Sequence, residues 1–145
     1  MISKLKIGKV TSQTELRNCD SYGCGDFGAS RTNSAGTHQG LDIIVYQGES
    51  IYAPFESIVT RFGYPYANDT TYRLVEFKGI GSYKGYLCKV MYVNNNSEIV
   101  GQTVSKGQFI TTAQDISKKY GSGMIPHLHI ELRINGQLVD PQKYL

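Results

Sequence analysis

Two short stretches hold the residue types that could do metal or proton chemistry. The chain has three histidines, His38, His127 and His129, so any imidazole chemistry must draw on them. Taken as a strand, Pro126 to Ile134 sends His127, His129, Glu131 and Arg133 to one face and Leu128, Ile130, Leu132 and Ile134 to the other. The apolar face belongs to a core. The polar face then lines a surface or cleft, where two imidazoles two residues apart can share one metal ion or one water. In the second stretch, His38-Gln39-Gly40-Leu41-Asp42, a loop enters a strand, and Gly40 is expected to let the backbone turn sharply so that His38 and Asp42 converge. Two imidazoles and a carboxylate around an open fourth position suit a catalytic-type zinc ion, whose ordinary ligands are neutral nitrogen, carboxylate oxygen and a water. Each half also has a plainer reading, a His-x-His pair in a ladder or a His-x-x-x-Asp hydrogen-bonded within a loop.

The elements that must position these residues read as strands from residue 41 onward. The expected runs are Leu41 to Tyr46, Ser50 to Ala53 (stopped by Pro54), Ser57 to Phe62, Tyr72 to Lys78, Tyr86 to Val93, Thr103-Val104, Gln108 to Ile110 and His127 to Ile134. Asn94-Asn95-Asn96, Ser105-Lys106-Gly107 and Asn135-Gly136 supply turns between them. Helix is expected over Ala113 to Tyr120, ending at Gly121, with a single turn over Thr11 to Arg17. The fold class is therefore mainly β, an antiparallel sheet core with surrounding loops and one short helix. At 145 residues without an internal repeat, the expectation is one domain, 1–145, made of a loop-rich N-terminal segment over 1–37 and a β core over 38–145.

Charge and cysteine usage narrow the partners. Fifteen basic residues are scattered among twelve acidic ones, and Lys118-Lys119 is the only adjacent basic pair, so no basic stripe is present to track nucleic acid. Met1 to Ile7 alternates apolar and polar residues and never reaches the continuous apolar run of a signal peptide or membrane span, so no membrane insertion is expected. Cys19 and Cys24 flank a short Gly-containing turn that a disulfide could close, which favours an oxidising, extracellular or periplasmic compartment; the alternative is two free thiols in a tight loop. Cys88, inside an expected strand, reads as a buried and unreactive thiol.

Together the motifs resemble the lysostaphin-type zinc metallopeptidase family. The likeness runs from His38-Gln39-Gly40-Leu41-Asp42-Ile43 through Gly48 to Pro54 and Val100 to Gln108, into Pro126-His127-Leu128-His129-Ile130-Glu131, and ends at Asp140-Pro141 and Tyr144-Leu145. Within that family the chain is most similar to the chemotaxin-like branch, because Asn18-Cys19-Asp20 and Gly23-Cys24-Gly25 precede the metal motif, and Cys19 and Cys24 match that branch's short disulfide. The resemblance implies the lysostaphin-type metallopeptidase fold and zinc held by His38, Asp42 and His129. It also implies His127 beside the metal as a water-orienting or general-base residue. Active members carry a further histidine in a Tyr-x-His pattern, and here Val90-Met91-Tyr92-Val93-Asn94 puts Asn94 or a neighbour at that place. Asparagine can hydrogen-bond a water or an oxyanion but accepts no proton at neutral pH.

Other candidates are subsidiary. Tyr46, four residues past Asp42, is a candidate donor to a developing oxyanion, with packing as its alternative. Glu131 is placed to orient an imidazole. Tyr64, Tyr66 and Tyr72 are expected to cover the core edge, with gripping a glycan or peptide as the alternative. Two functions follow. The first is a monomeric, secreted zinc-binding protein that recognises peptide or peptidoglycan-like ligands or a protein receptor. The second is an active zinc metalloendopeptidase that cuts peptidoglycan cross-bridges with His127 as base.

Overall fold

In the computed structural model, which describes residues 5–13, 15, 17, 40–120 and 123–145, strand follows strand with little helix between. The strands are β1 (Leu41–Ile44), β2 (Ser50–Tyr52), β3 (Ser57–Gly63), β4 (Arg73–Gly79), β5 (Tyr86–Val93), β6 (Thr103–Val104), β7 (Phe109–Thr112), β8 (His127–Ile134) and β9 (Gln137–Val139). One antiparallel sheet runs in the order β1-β8-β5-β4-β3-β6, with β9 paired to β8, while β2 and β7 form a separate ribbon. The mainly β, antiparallel expectation holds.

Alternation decides which side chains meet. Tyr86, Cys88 and Val90 of β5 stand directly across from Ile134, Leu132 and Ile130 of β8, and all six are buried in the core. Residues of opposite parity pair on the other face, Met91 with His129 and Lys89 with Glu131. On the far side of β8, Leu41 and Ile43 pair with Ile130 and Leu128 in the core, which leaves Asp42 opposite His129. The site therefore lies on the outer face of three adjacent strands, and burying each apolar side chain beneath it contributes about 1.5–3 kcal/mol.

The N-terminal residues are tied into this body. Ile7 and Val10 lie in the core, Gly8 N donates to Pro54 O, and Tyr52 N donates to Val10 O at 2.7 Å. Of the turn expected over Thr11 to Arg17, residues 14 and 16 lie outside the described residues. Ile44 N donates to Glu15 O at 2.8 Å and Arg17 N to Asp42 O at 3.0 Å, which is antiparallel pairing along β1. These two bonds satisfy main-chain groups on the edge strand β1.

Helix α1 (Ser117–Tyr120) is shorter than the expected run from Ala113. Ala113 forms a bridge with Val93, Gln114 N donates to Tyr92 O, and Asp115 Oδ1 accepts from Ser117 N. The sheet thus claims the first two residues, and the Asp115 carboxylate starts the helix after them. Gly121, expected to cap its end, lies outside the described residues. The Asn135-Gly136 turn, with φ of 51° and 82°, folds β9 back on β8.

Cys88 is free and buried, and burial pushes its thiol up to about 12. Native protein treated with iodoacetamide should leave Cys88 unmodified in peptide-resolved mass spectra, with full modification after denaturation. Modification of the native chain at Cys88 would refute its burial.

Candidate metal centre and cleft

Asp42 and His129 form the centre. They sit opposite one another on β1 and β8, 1% and 9% exposed, and Asp42 Oδ1 lies 2.9 Å from His129 Nδ1. The other ring nitrogen, Nε2, is 2.9 Å from Glu131 Oε2. The second oxygen, Asp42 Oδ2, accepts from Arg17 Nη1 at 2.7 Å. Burial opposes charge on His129, but the hydrogen bonds its ring donates to Asp42 and Glu131 outweigh it and raise the imidazole to about 9. Burial likewise works against charge on Glu131, and the His129 contact outweighs it, holding the carboxylate below its ordinary value.

His127 lies on the same face, 4% exposed, with Nε2 3.5 Å from Asp42 Oδ2. Its Nδ1 is 2.6 Å from the carbonyl oxygen of Ile125, which can only accept, so Nδ1 carries the proton and the neutral ring offers a lone pair at Nε2. Burial drives this imidazole below its usual value and keeps it neutral near pH 7. Beside it stands Tyr92, whose ring meets His127 edge-on at 5.6 Å between centroids. Tyr92 is a non-glycine residue with φ of 77°, at a register shift where Arg73 pairs with Val93 and Leu74 with Met91. This bulge breaks strict alternation and re-aims the Tyr92 ring toward the cleft. The Tyr92 hydroxyl lies 3.2 Å from that of Tyr66, which accepts from Tyr120 at 2.8 Å. Burial raises the Tyr92 hydroxyl to about 12, so it remains a proton-bearing donor.

Residues 36–141 match the family described as Peptidase family M23. The chain belongs to that family. It is 32% identical over 134 residues to leukocyte cell-derived chemotaxin-2 of Bos taurus, covering 92% of this chain and 82% of that protein. It is 31% identical over 104 residues to an uncharacterized metalloprotease of Haemophilus influenzae, covering 72% of this chain and 20% of that protein. The solved antimicrobial peptidase lysostaphin from Staphylococcus simulans shares the fold at a TM-score of 0.65 and 19% identity, covering all of this chain and 55% of that one. The M23 chain thus spans about half the length of that structure.

The M23 fold brings together three of the residues singled out in the sequence, Asp42, His127 and His129, with Glu131 orienting His129 as expected. His38, Cys19 and Cys24 lie outside the described residues. Asn94 is turned to β7, donating from Nδ2 to Thr112 Oγ1 at 2.8 Å, and Tyr46 stands out at 64% exposure. Tyr66 and Tyr72 pack with Tyr92, Ile116 and Met124 in a second apolar cluster, while Tyr64 is exposed beneath the Arg73 guanidinium. Gly40 supplies room at the site, and the sharp turn expected there reaches into Gln39, outside the described residues. A Cβ there would fall on the carbonyl oxygen of Ile130 and 2.7 Å from His129 Nε2.

Among the described residues no group of three or more His, Cys, Asp or Glu is arranged to hold a metal ion. The donor chemistry nevertheless fits zinc. Two donors on a tetrahedral zinc stand about 3.3 Å apart, close to the 2.9 Å between Asp42 Oδ1 and His129 Nδ1. His129 also gives its other nitrogen to a carboxylate, as metal-bound imidazoles ordinarily do. Sequence reading missed Arg17 and Tyr92 as members of this site. Arg17 carries no local signal, and a tyrosine in the left-handed region is not foreseeable from pattern.

Proposed function

We propose that this M23 domain binds zinc through His38, Asp42 and His129 and docks peptide or peptidoglycan-like ligands, or a protein receptor, with weak or no hydrolysis. The observation that supports the metal is the facing pair of Asp42 Oδ1 and His129 Nδ1, with Glu131 on the far ring nitrogen. Weak hydrolysis follows from the proton inventory. With His38 and His129 used as ligands, His127 is the one imidazole left in a chain of three, and Asn94 donates to Thr112. Losing one member of an acid-base pair forfeits roughly 100- to 10,000-fold in rate. The reading extends to an exported protein, on the spacing of Cys19 and Cys24.

A second reading, an active zinc metalloendopeptidase acting on peptidoglycan cross-bridges, is favoured by His127 itself. A bound zinc would supply Lewis acidity at the site. His127, neutral and presenting Nε2 beside Asp42, can take a proton there, and the Tyr92 hydroxyl can donate a hydrogen bond into the same cleft.

Turnover separates the two. Zinc-loaded protein incubated with purified cell wall and with a pentaglycine peptide should bind wall material and release no new amino termini. New termini from the parent chain, abolished in His127→Ala, would establish the peptidase instead.

A further inference from the structure

Arg17 carries a buried charge that the metal reading above does not use. Its side chain is 3% exposed and that of its partner Asp42 2%, at 2.7 Å between Nη1 and Oδ2. A guanidinium cannot shed its charge, so burial demands a compensating anion. The pairing of Glu15 and Arg17 with β1 puts Arg17 beside Asp42, 25 residues ahead of it in the chain. Arg17 also precedes the residues 36–141 that match the M23 family. The site therefore includes a group from outside the family-matching segment.

We infer that Arg17 is a positioning residue of the metal centre, holding Asp42 Oδ2 so that Oδ1 alone is presented toward His129 Nδ1. The inference rests on the zinc reading. Asp42 Oδ2 also lies 3.5 Å from His127 Nε2, which carries a lone pair and gives that oxygen no hydrogen bond. With Arg17 on that oxygen, the carboxylate is fixed in rotation and offers one oxygen, and His127 keeps its lone pair for the cleft. Without it, the hydrogen bond that fixes this rotation is lost. A cation near a metal site repels the metal, but this one is already neutralised by the carboxylate it orients. Orientation prevails, and partners of metal ligands typically change affinity by about 10- to 100-fold when removed.

The test measures zinc affinity by competition with a chromophoric chelator, and the visible bands of the cobalt-substituted protein, for the parent, Arg17→Met, Arg17→Lys and Arg61→Met. Arg61 pairs with Glu76 at 3.4 Å on an exposed face and controls for loss of a positive charge. The parent and Arg61→Met should bind zinc alike. Arg17→Met should bind about 10- to 100-fold more weakly, and Arg17→Lys should recover part of the affinity with shifted cobalt bands, because a point charge does not fix the carboxylate as the planar fork does. Affinity in Arg17→Met equal to or tighter than the parent's overturns the inference. If Arg17→Met fails to fold, Arg17→Lys decides alone, and parental affinity with unshifted bands overturns it. A parent that takes up no zinc or cobalt removes the metal reading itself, and the inference with it.

Discussion

Replacing Asp42 with Ala should destabilise the metal-free protein by about 3–5 kcal/mol, before any metal is considered. Asp42 is 1% exposed and takes Arg17 on one oxygen and His129 on the other. A buried ion pair is a weak source of stability as a whole, because desolvating both charges offsets most of their attraction. Removing one partner is different. The guanidinium of Arg17 stays in the interior without the carboxylate that compensated it, and His129 loses one of the two carboxylates that favour its protonated form. The loss corresponds to a drop of roughly 10 °C or more in melting temperature for a chain of this size.

Two measurements on one sample check this. Urea unfolding with excess chelator reads the folding term, and zinc titration reads the ligand term. Asp42→Ala should show both the destabilisation and the disappearance of zinc uptake. Asp42→Asn should fall between, since an amide oxygen can still accept from Arg17 while contributing no negative charge. An Ala variant within about 1 kcal/mol of the parent would mean that Arg17 and Asp42 are not buried together in solution.

The contrast between Asp42 and Asn94 shows how far pattern reading reaches. Alternation along β8 puts His127, His129 and Glu131 on one face from spacing alone, and the β1-β8 register then sets Asp42 opposite His129. Past Met91 that alternation ends, because Tyr92 adopts a φ of 77° in a bulge and the phase of the strand changes there. The ring that reached His127 was Tyr92, and Asn94 found Thr112. Local propensity misjudged the start of α1 for a related reason. Ala113 suits a helix, but its bridge to Val93 holds it in the sheet. Arg17 was beyond any local rule, since its contact with Asp42 exists only after an N-terminal segment has paired with β1.

Gly40→Ala should lower stability by about 1–2 kcal/mol and weaken zinc binding about tenfold or more. The sign is not obvious, because a Gly to Ala change reduces the freedom of the unfolded chain and by itself stabilises by about 0.4–1 kcal/mol. Here the new methyl group would fall on the carbonyl oxygen of Ile130 and within 2.8 Å of His129 Cε1. Neither can yield freely. Ile130 pairs with Leu41 in the β1-β8 ladder, so moving its carbonyl disturbs the strands that carry Asp42 and His129. The imidazole can retreat only by stretching its bond to Glu131 or to Asp42. Overpacking of this kind typically costs about 1–3 kcal/mol, which exceeds the gain from the unfolded state. Gly40→Val should do more of both. Unfolding in chelator and zinc competition on the same variants would detect the two effects separately, and an alanine variant as stable and as zinc-avid as the parent would show that Gly40 does not pack against His129.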